Sequence, residues 1–183
     1  MRIVPFSDLT SAQIAEAARI LRDAIRGDSY KSPGEAEDEA ASFLTDPERF
    51  ALAAVEDEAV LGWIGGVRGY SHALELHPLV VDPPRHRQGI GAILVRALEA
   101  QAEAEGFLTV HLGTDDDFGG SSLFGAELFP DPLARLAQIE PRGDGHPFFF
   151  YRRLGYAPVG VLPDANGAGR PDIFMARRVA TSD

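Results

Sequence analysis

The 183-residue sequence contains no cysteine. Disulfides, thiolate metal sites and cysteine nucleophiles are therefore excluded. Lysine is almost absent as well, since Lys31 is the single lysine among 17 basic residues. With 28 acidic residues the formal net charge is −11. This charge argues against a nucleic-acid partner, whose phosphates most of the surface would repel, and it suits a cationic small molecule.

Long apolar runs are also missing. Runs such as Phe148–Tyr151 are far too short to span a bilayer, and the first residues include no apolar segment of secretory length. We therefore expect a cytoplasmic protein without a membrane partner. The five histidines show no ligand spacing such as His-Glu-x-x-His, so no metal is expected. The length fits a single domain over residues 1–183.

The hydrophobic pattern predicts one mixed α/β domain, with antiparallel strands first and a strand-helix-strand unit in the middle. The predicted strands span residues 2–5, 50–55, 60–67, 74–81, 107–112, 156–162 and 172–178. The predicted helices run from a cap at Thr10 or Ser11 to Ile25, from 35 to 44, from 90 to a C-cap at Gly106, and from 147 to 154. Residues 113–146 are predicted to be irregular, with a helical turn near 133–138.

A basic, glycine-containing turn follows the strand 74–81. It reads Arg-His-Arg-Gln-Gly-Ile-Gly over residues 85–91 and opens an amphipathic helix. Backbone N–H groups at a helix start lack intrahelical partners, and the aligned peptide dipoles add partial positive charge there. Glycines let a ligand approach the backbone closely. Such a turn is typical of a phosphate site.

Two familiar phosphate loops do not fit this turn. A Walker A loop needs Gly-Lys followed by Ser or Thr, and Ala92 follows Gly91. A dinucleotide fingerprint needs a third small residue where Leu94 stands. The remaining pattern, basic-x-x-Gly-x-Gly between a strand and a helix, resembles the acetyl-CoA pyrophosphate loop of the Gcn5-related N-acetyltransferases (GNAT). The alternative is a turn whose glycines serve packing alone.

Later segments extend this resemblance. Residues 150–156 read Phe-Tyr-Arg-Arg-Leu-Gly-Tyr, which matches the GNAT pattern Phe-Tyr-x-x-Leu-Gly-Tyr. Residues 74–81, 112–116, 159–167 and 171–176 are similar to aminoglycoside 6′-N-acetyltransferases. The resemblance implies a GNAT fold: a central, mixed but mostly antiparallel twisted sheet of six to seven strands, flanked by helices and splayed at the cofactor site. It also implies acetyl-CoA as co-substrate, direct attack by an amine in a ternary complex, and a homodimer.

By the same resemblance, the end of the strand 74–81, the basic turn and the first helical turn hold acetyl-CoA. The family usually has Arg or Gln where His86 stands, so the contact of that side chain departs from the pattern. The implied cofactor-binding residues are Leu79, Val80, Val81, Arg85, His86, Arg87, Gln88, Gly89, Ile90, Gly91, Ala92 and Tyr151.

The strand 74–81 carries the predicted chemistry. Period-two alternation places Leu74, Leu76 and Val80 on one face and Glu75, His77 and Leu79 on the other. Pro78 cannot donate to a ladder, so a bulge or splay is expected there. We expect the Leu79 N–H to be free for a thioester carbonyl, and the resemblance implies that this amide is the oxyanion donor.

An attacking alkylammonium must lose a proton, which a carboxylate near the acceptor can take directly or through water. Glu75 is the first candidate base and His77 the second, although His77 is nearly as well explained as a satisfied strand histidine. The resemblance implies that Tyr151 protonates the CoA thiolate; the alternative for Tyr151 is core packing.

The acidic run Asp115, Asp116 and Asp117 is predicted to bind the acceptor, since it lies where the resembling enzymes bind their polycation. A solvated loop is the ordinary meaning of such a run. Residues 21–46 match those enzymes only loosely. Another small amine or a protein amine therefore stays open as the acceptor, as does a CoA-binding module without turnover.

Overall fold

The computed structural model describes residues 1–143 and 146–180. Its strands are β1 (Arg2–Pro5), β2 (Arg49–Glu56), β3 (Ala59–Val67), β4 (Ala73–Val81), β5 (Thr109–Asp115), β6 (Ala157–Leu162) and β7 (Asp172–Arg178). Its α-helices are α1 (Ser11–Ala24), α2 (Glu35–Thr45), α3 (Ile90–Ala104), α4 (Pro132–Ala137) and α5 (Pro147–Arg153). The strands form a seven-stranded, mostly antiparallel sheet, which confirms the predicted fold class.

The described chain divides into two compact units, Met1–Val110 with Val179 and Ala180, and His111–Arg178. The prediction of one domain over residues 1–183 stays a prediction. No helix within the described part of the chain is long and apolar enough to cross a bilayer.

In the first unit, β1 to β4 pair in sequence order, each antiparallel to the next. Trp63 of β3 is fully buried, and its indole N–H donates to the Ala17 carbonyl of α1 at 2.9 Å. Phe6 and Phe43 pack on the same indole, with ring centroids 5.0 and 5.4 Å away. The predicted cap of α1 is present: Thr10 forms a capping box with Gln13. These contacts fix α1 and α2 against β3.

The third helix begins and ends as the sequence predicts. Gly89 precedes it in the left-handed region at φ 84°, and Gly106 follows it at φ 87°. The helix buries one apolar face, made by Ile90, Leu94, Val95, Leu98 and Ala102.

Two short 3-10 helices, Phe6–Asp8 and Pro83–Arg85, were not predicted, and β5 is shifted. It runs from Thr109 to Asp115 rather than over 107–112. The Phe107 N–H instead donates to the Ala102 carbonyl at 2.9 Å, which closes the end of α3 and delays the strand.

The second unit contains α4, α5 and the antiparallel pair β6 and β7. The segment predicted to be irregular, 113–146, contains α4 where a helical turn was expected and an isolated bridge between Ser121 and Pro141. Residues 144 and 145 of that segment lie outside the described residues.

Candidate active site

The fourth strand presents two chemically different faces. Burial alternates along its length: Leu74, Leu76 and Val80 are buried, whereas Glu75, His77 and Leu79 are only half-buried. The predicted alternation is therefore confirmed. Glu75 lies opposite Val67 of β3, and its carboxylate has no hydrogen bond or ion pair with any residue of 1–143 and 146–180. A half-buried carboxylate without a partner is well suited to accept a proton or bind a cation.

A bulge interrupts the pairing of β3 with β4 at Pro78, as predicted. Ile64 pairs with Leu79 and Gly66 with Leu76, so that Gly65 alone faces both His77 and Pro78. The approach at this point is very close. A Cβ on Gly65 would lie 2.2 Å from the His77 carbonyl oxygen and 2.5 Å from Cε1 of Phe43. Only glycine fits there without moving the backbone.

The ladder beyond the bulge fixes the direction of the Leu79 amide. The Asp82 N–H donates to the Leu61 carbonyl at 2.9 Å, which makes Leu61 and Asp82 a hydrogen-bonded pair. Hydrogen-bonded and non-hydrogen-bonded pairs alternate along an antiparallel ladder. Leu79 opposite Ile64, three positions back, is therefore a non-hydrogen-bonded pair. Its N–H points away from β3, as an amide must if it is to donate to a substrate.

His77 belongs to a polar cluster built from distant parts of the first unit. Its Nε2 lies 3.3 Å from the Tyr30 hydroxyl and 3.7 Å from Oε1 of Glu39 in α2. The same Glu39 oxygen accepts a hydrogen bond from Nη1 of Arg49 in β2 at 3.0 Å. Burial, followed by the negative charge of Glu39, raises the pKa of the Tyr30 phenol. Tyr30 is therefore protonated near neutral pH, with one hydrogen to donate and lone pairs to accept.

The basic turn leaves its backbone open to a ligand. Gly89 is the N-cap of α3 without a side-chain cap, so the N–H groups of Ile90, Gly91 and Ala92 in the first turn have no side-chain acceptor at the cap. A Cβ on Gly89 would meet nothing within 4 Å. Arg85 and Arg87 flank this opening.

Among residues 1–143 and 146–180, neither Arg85 nor Arg87 has an ion-pair partner, and both are exposed. Positively charged side chains without local partners beside free helical N–H groups fit a phosphate-bearing group. The other two polar side chains of the turn bind locally. His86 donates from Nε2 to the Val81 carbonyl at 2.8 Å, and Gln88 donates to the Pro84 carbonyl at 3.4 Å. These contacts give His86 a role in shaping the turn.

Tyr151 lies in α5 of the second unit and is 7% exposed. Its ring contacts Phe150 and Tyr156, with centroids 5.1 and 5.6 Å away. Burial raises the pKa of its phenol. The phenol therefore holds its proton throughout the neutral range, which allows it to donate a hydrogen bond.

His146, which the sequence predicts to open α5 together with Pro147, fixes the start of that helix. His146 is 6% exposed and caps the helix: its Nδ1 accepts from the Phe148 N–H at 3.1 Å. Its Nε2 donates to the Asp115 carbonyl at 2.8 Å. His146 thus holds the end of β5 against the helix that carries Tyr151. The prediction that His146 and Pro147 open this helix is thus confirmed, because proline is common at the first helical position.

The three aspartates after β5 have different surroundings. Asp116 is 1% exposed, and its oxygens accept from the Gly120 and Ser121 N–H groups and from the Ser121 hydroxyl, at 2.9, 3.0 and 2.6 Å. This geometry gives Asp116 a structural role in its loop. Asp115 accepts from the Asn166 side-chain amide, and Asp117 lies 3.3 Å from Nε of Arg170. Among the described residues, no basic side chain pairs with Asp115.

No group of three or more His, Asp or Glu side chains within the described residues is arranged to hold a metal ion.

This chain is similar to known acetyltransferases in sequence and in fold. The model of the acetyltransferase (GNAT) family matches residues 15–122. The crystal structure of an aminoglycoside 6′-N-acetyltransferase complexed with coenzyme A has a TM-score of 0.89 and 34% identity, covering 100% of this chain and 99% of that chain. The aminoglycoside 6′-N-acetyltransferase from Enterococcus faecium gives a TM-score of 0.89 and 35% identity, with the same coverage of 100% and 99%.

A curated relative matches a shorter region. An uncharacterized N-acetyltransferase of Mycobacterium tuberculosis is 36% identical over 75 residues, which cover 41% of this chain and 48% of that protein. The matched region thus spans about half the length of this relative.

Proposed function

Because the chain belongs to the GNAT acetyltransferase family, we propose that it transfers the acetyl group of acetyl-CoA to a primary amine of an aminoglycoside-like polycation. The predicted family is confirmed by the match of its model to residues 15–122. The observation that supports this acceptor is the likeness to two aminoglycoside 6′-N-acetyltransferases at 34 and 35% identity over the whole chain. We propose direct attack in a ternary complex, in a cytoplasmic homodimer, without a nucleic-acid, membrane or metal partner.

The basic turn is the proposed binding site of the phosphate groups of acetyl-CoA. Three features support this assignment: the first-turn N–H groups of α3, the open space above Gly89, and the exposed Arg85 and Arg87, which have no ion-pair partner among the described residues. Val80, Val81 and Leu79 would lie along the adjoining arm of the co-substrate, with Gln88, Ile90, Gly91 and Ala92 around the phosphates and Tyr151 near the thiol. His86 would act through its hydrogen bond to Val81 rather than through a phosphate contact.

Acyl transfer requires removal of a proton from the acceptor amine and stabilisation of the carbonyl oxygen, and residues of β4 can do both. The acceptor nitrogen forms a bond to the thioester carbonyl carbon, and the carbon–sulfur bond breaks. The Leu79 N–H, which points away from β3, would donate to the carbonyl oxygen; such a donor is typically worth about 3 kcal/mol in the transition state. Glu75 would take the proton that the amine loses, and its lack of an internal partner supports this role over His77.

Tyr151 would serve the departing thiolate. Its raised pKa keeps the phenol protonated, so that it can donate a hydrogen bond to the sulfur as the carbon–sulfur bond breaks. The ring packing against Phe150 and Tyr156 holds the phenol in place.

The cationic acceptor would be attracted by Asp115 and Asp117. Within the part of the chain that the structure describes, Asp115 binds a neutral amide, whereas Asp117 has its charge offset by Arg170. Buried Asp116, which binds its own loop, contributes to the arrangement of the other two rather than to the ligand.

The acceptor assignment is tested by a thiol-release assay with acetyl-CoA across aminoglycosides, linear polyamines and amino-terminal peptides. We expect turnover with kanamycin-type acceptors that carry a 6′-amine. Analogues with a hydroxyl at that position should be inactive, because a hydroxyl is a far weaker nucleophile. Turnover with peptides alone would identify a protein amine, rather than an aminoglycoside, as the acceptor. Binding of acetyl-CoA without thiol release from any amine would indicate a non-catalytic CoA-binding module.

Removing the arginines of the basic turn should weaken binding of the phosphate-bearing co-substrate. Hydrogen bonds to charged groups contribute about 1.5–3 kcal/mol, so each of Arg85→Ala and Arg87→Ala is expected to raise the Kd of CoA by about tenfold or more. Isothermal titration calorimetry measures the effect. Pantetheine, which lacks the phosphates of CoA, should bind equally to wild type and variants.

Arg135→Ala is the matched control for these two variants, because Arg135 is an exposed arginine of α4 and its loss changes the net charge equally. A loss of CoA affinity of the same size in Arg135→Ala would attribute the effect to overall charge and contradict a phosphate site at the turn.

A further inference from the structure

One ring nitrogen of His77 faces two oxygens that come from outside its strand. Nε2 lies 3.3 Å from the Tyr30 hydroxyl oxygen and 3.7 Å from Oε1 of Glu39. Tyr30 precedes α2, and Glu39 lies within it, so both oxygens reach the ring from the α2 side. Neither contact is implied by the alternation along β4.

The carboxylate determines which tautomer of His77 is favoured. A nitrogen lone pair that faces a negatively charged oxygen is repelled, whereas an N–H in the same position is attracted. Glu39 therefore favours the proton on Nε2, where the protonated Tyr30 can accept from it through its oxygen. The ring then carries its lone pair on Nδ1.

Neighbouring side chains in α2 and β2 fix the position of the Glu39 carboxylate. Arg49 donates to the same Oε1 at 3.0 Å and to the Ser42 hydroxyl at 2.9 Å. Its guanidinium also lies 5.2 Å from the ring centroid of Phe43. Arg49 thus holds the Glu39 carboxylate whose Oε1 lies 3.7 Å from Nε2 of His77. Glu75, two residues away on the same face of β4, is the remaining carboxylate on that face.

We propose that Glu39 is a positioning residue which, together with Tyr30, holds His77 in the Nε2–H tautomer and so makes Nδ1 a hydrogen-bond acceptor for the substrate amine. This role of His77 rests on the proposed acetyl transfer, because Nδ1 would orient the ammonium that Glu75 deprotonates. The tautomer itself is a property of the free protein and can be measured without any acceptor.

The tautomer is tested by nitrogen-15 NMR of histidine-labelled protein, with His77→Asn used to assign the His77 signals among the five histidines. In the wild type we expect a pyrrole-like Nε2 and a pyridine-like Nδ1. In Glu39→Gln the ratio of Nε2–H to Nδ1–H forms should fall by about fivefold or more, because the charge that favours Nε2–H is gone. Tyr30→Phe keeps the ring and removes the oxygen, so it should shift the ratio in the same direction.

Glu37→Gln is the matched control: the same substitution in the same helix, at a side chain that is 52% exposed and paired with Arg22. It should leave the ratio unchanged. Thermal melts identify a variant that fails to fold, and Tyr30→Phe then decides the test. A wild-type ring in the Nδ1–H form, or an unchanged ratio in folded Glu39→Gln, would overturn the proposal.

Kinetics separate this proposal from the proposed function. If an amine acceptor is turned over, Glu39→Gln should lower kcat by about tenfold while the KM for acetyl-CoA stays unchanged. A fall in the tautomer ratio without turnover of any amine would uphold the positioning of His77 and contradict acetyl transfer.

Discussion

Glu75→Gln is expected to lower kcat/KM for an amine acceptor by about 10²–10⁴-fold at neutral pH, the usual contribution of a general base. An alkylammonium with a pKa of about 10.4 is free amine only to roughly one part in 10³ at that pH, so removal of the proton limits the reaction. Glutamine keeps the size of the side chain but cannot take the proton. Since Glu75 has no partner in residues 1–143 and 146–180, its replacement should leave the fold intact.

The pH–rate profile is the measurement that isolates this role. As pH rises toward the pKa of the acceptor, more of the amine is already deprotonated. The difference in kcat/KM between wild type and Glu75→Gln should therefore become smaller. Glu103→Gln is the control, because Glu103 is an exposed glutamate of α3. An unchanged pH–rate profile in Glu75→Gln would indicate that His77 or a bound water, rather than Glu75, is the general base.

Gly65→Ala is expected to destabilise the fold by roughly 3 kcal/mol, at the upper end of what overpacking typically costs. The added Cβ would lie 2.2 Å from the His77 carbonyl oxygen, which belongs to the backbone of the bulge and cannot rotate away. It would also lie 2.5 Å from Phe43, whose ring packs on buried Trp63. Relief would require both the bulge and α2 to move.

Chemical denaturation of the two proteins measures the loss. Gly69→Ala is the matched control, because a Cβ on Gly69 would meet nothing within 4 Å and its backbone is not in the left-handed region. Equal unfolding midpoints for wild type and Gly65→Ala would show that the strands are not this close at the bulge.

The backbone preferences of neighbouring residues account for the features of the fold and the site that the sequence predicts. The alternation along β4 follows from the two-residue period of a strand, and the bulge from the missing N–H of Pro78. The start of α3 follows from Gly89, whose left-handed backbone ends the turn. These features depend on residues within a few positions of one another.

Contacts between distant segments account for what could not be predicted. Nothing in the sequence connects Glu39 with His77, because 38 positions separate them and only the packing of α2 on β3 brings them together. Likewise, three consecutive aspartates look alike in sequence. Burial separates Asp116, which binds its own loop, from Asp115.

The sequence by itself determined the family and the face of β4 that carries Glu75, His77 and Leu79, and it predicts a phosphate site at the basic turn. The family follows from the resemblance of the motifs, and the face of β4 follows from the two-residue period of a strand. The tertiary structure alone decided that Gly65 is the close contact of the bulge, that the Leu79 N–H points away from β3, and that Glu39 and Tyr30 meet His77. These depend on strand register and helix packing, which arise only when residues far apart in the chain share one core.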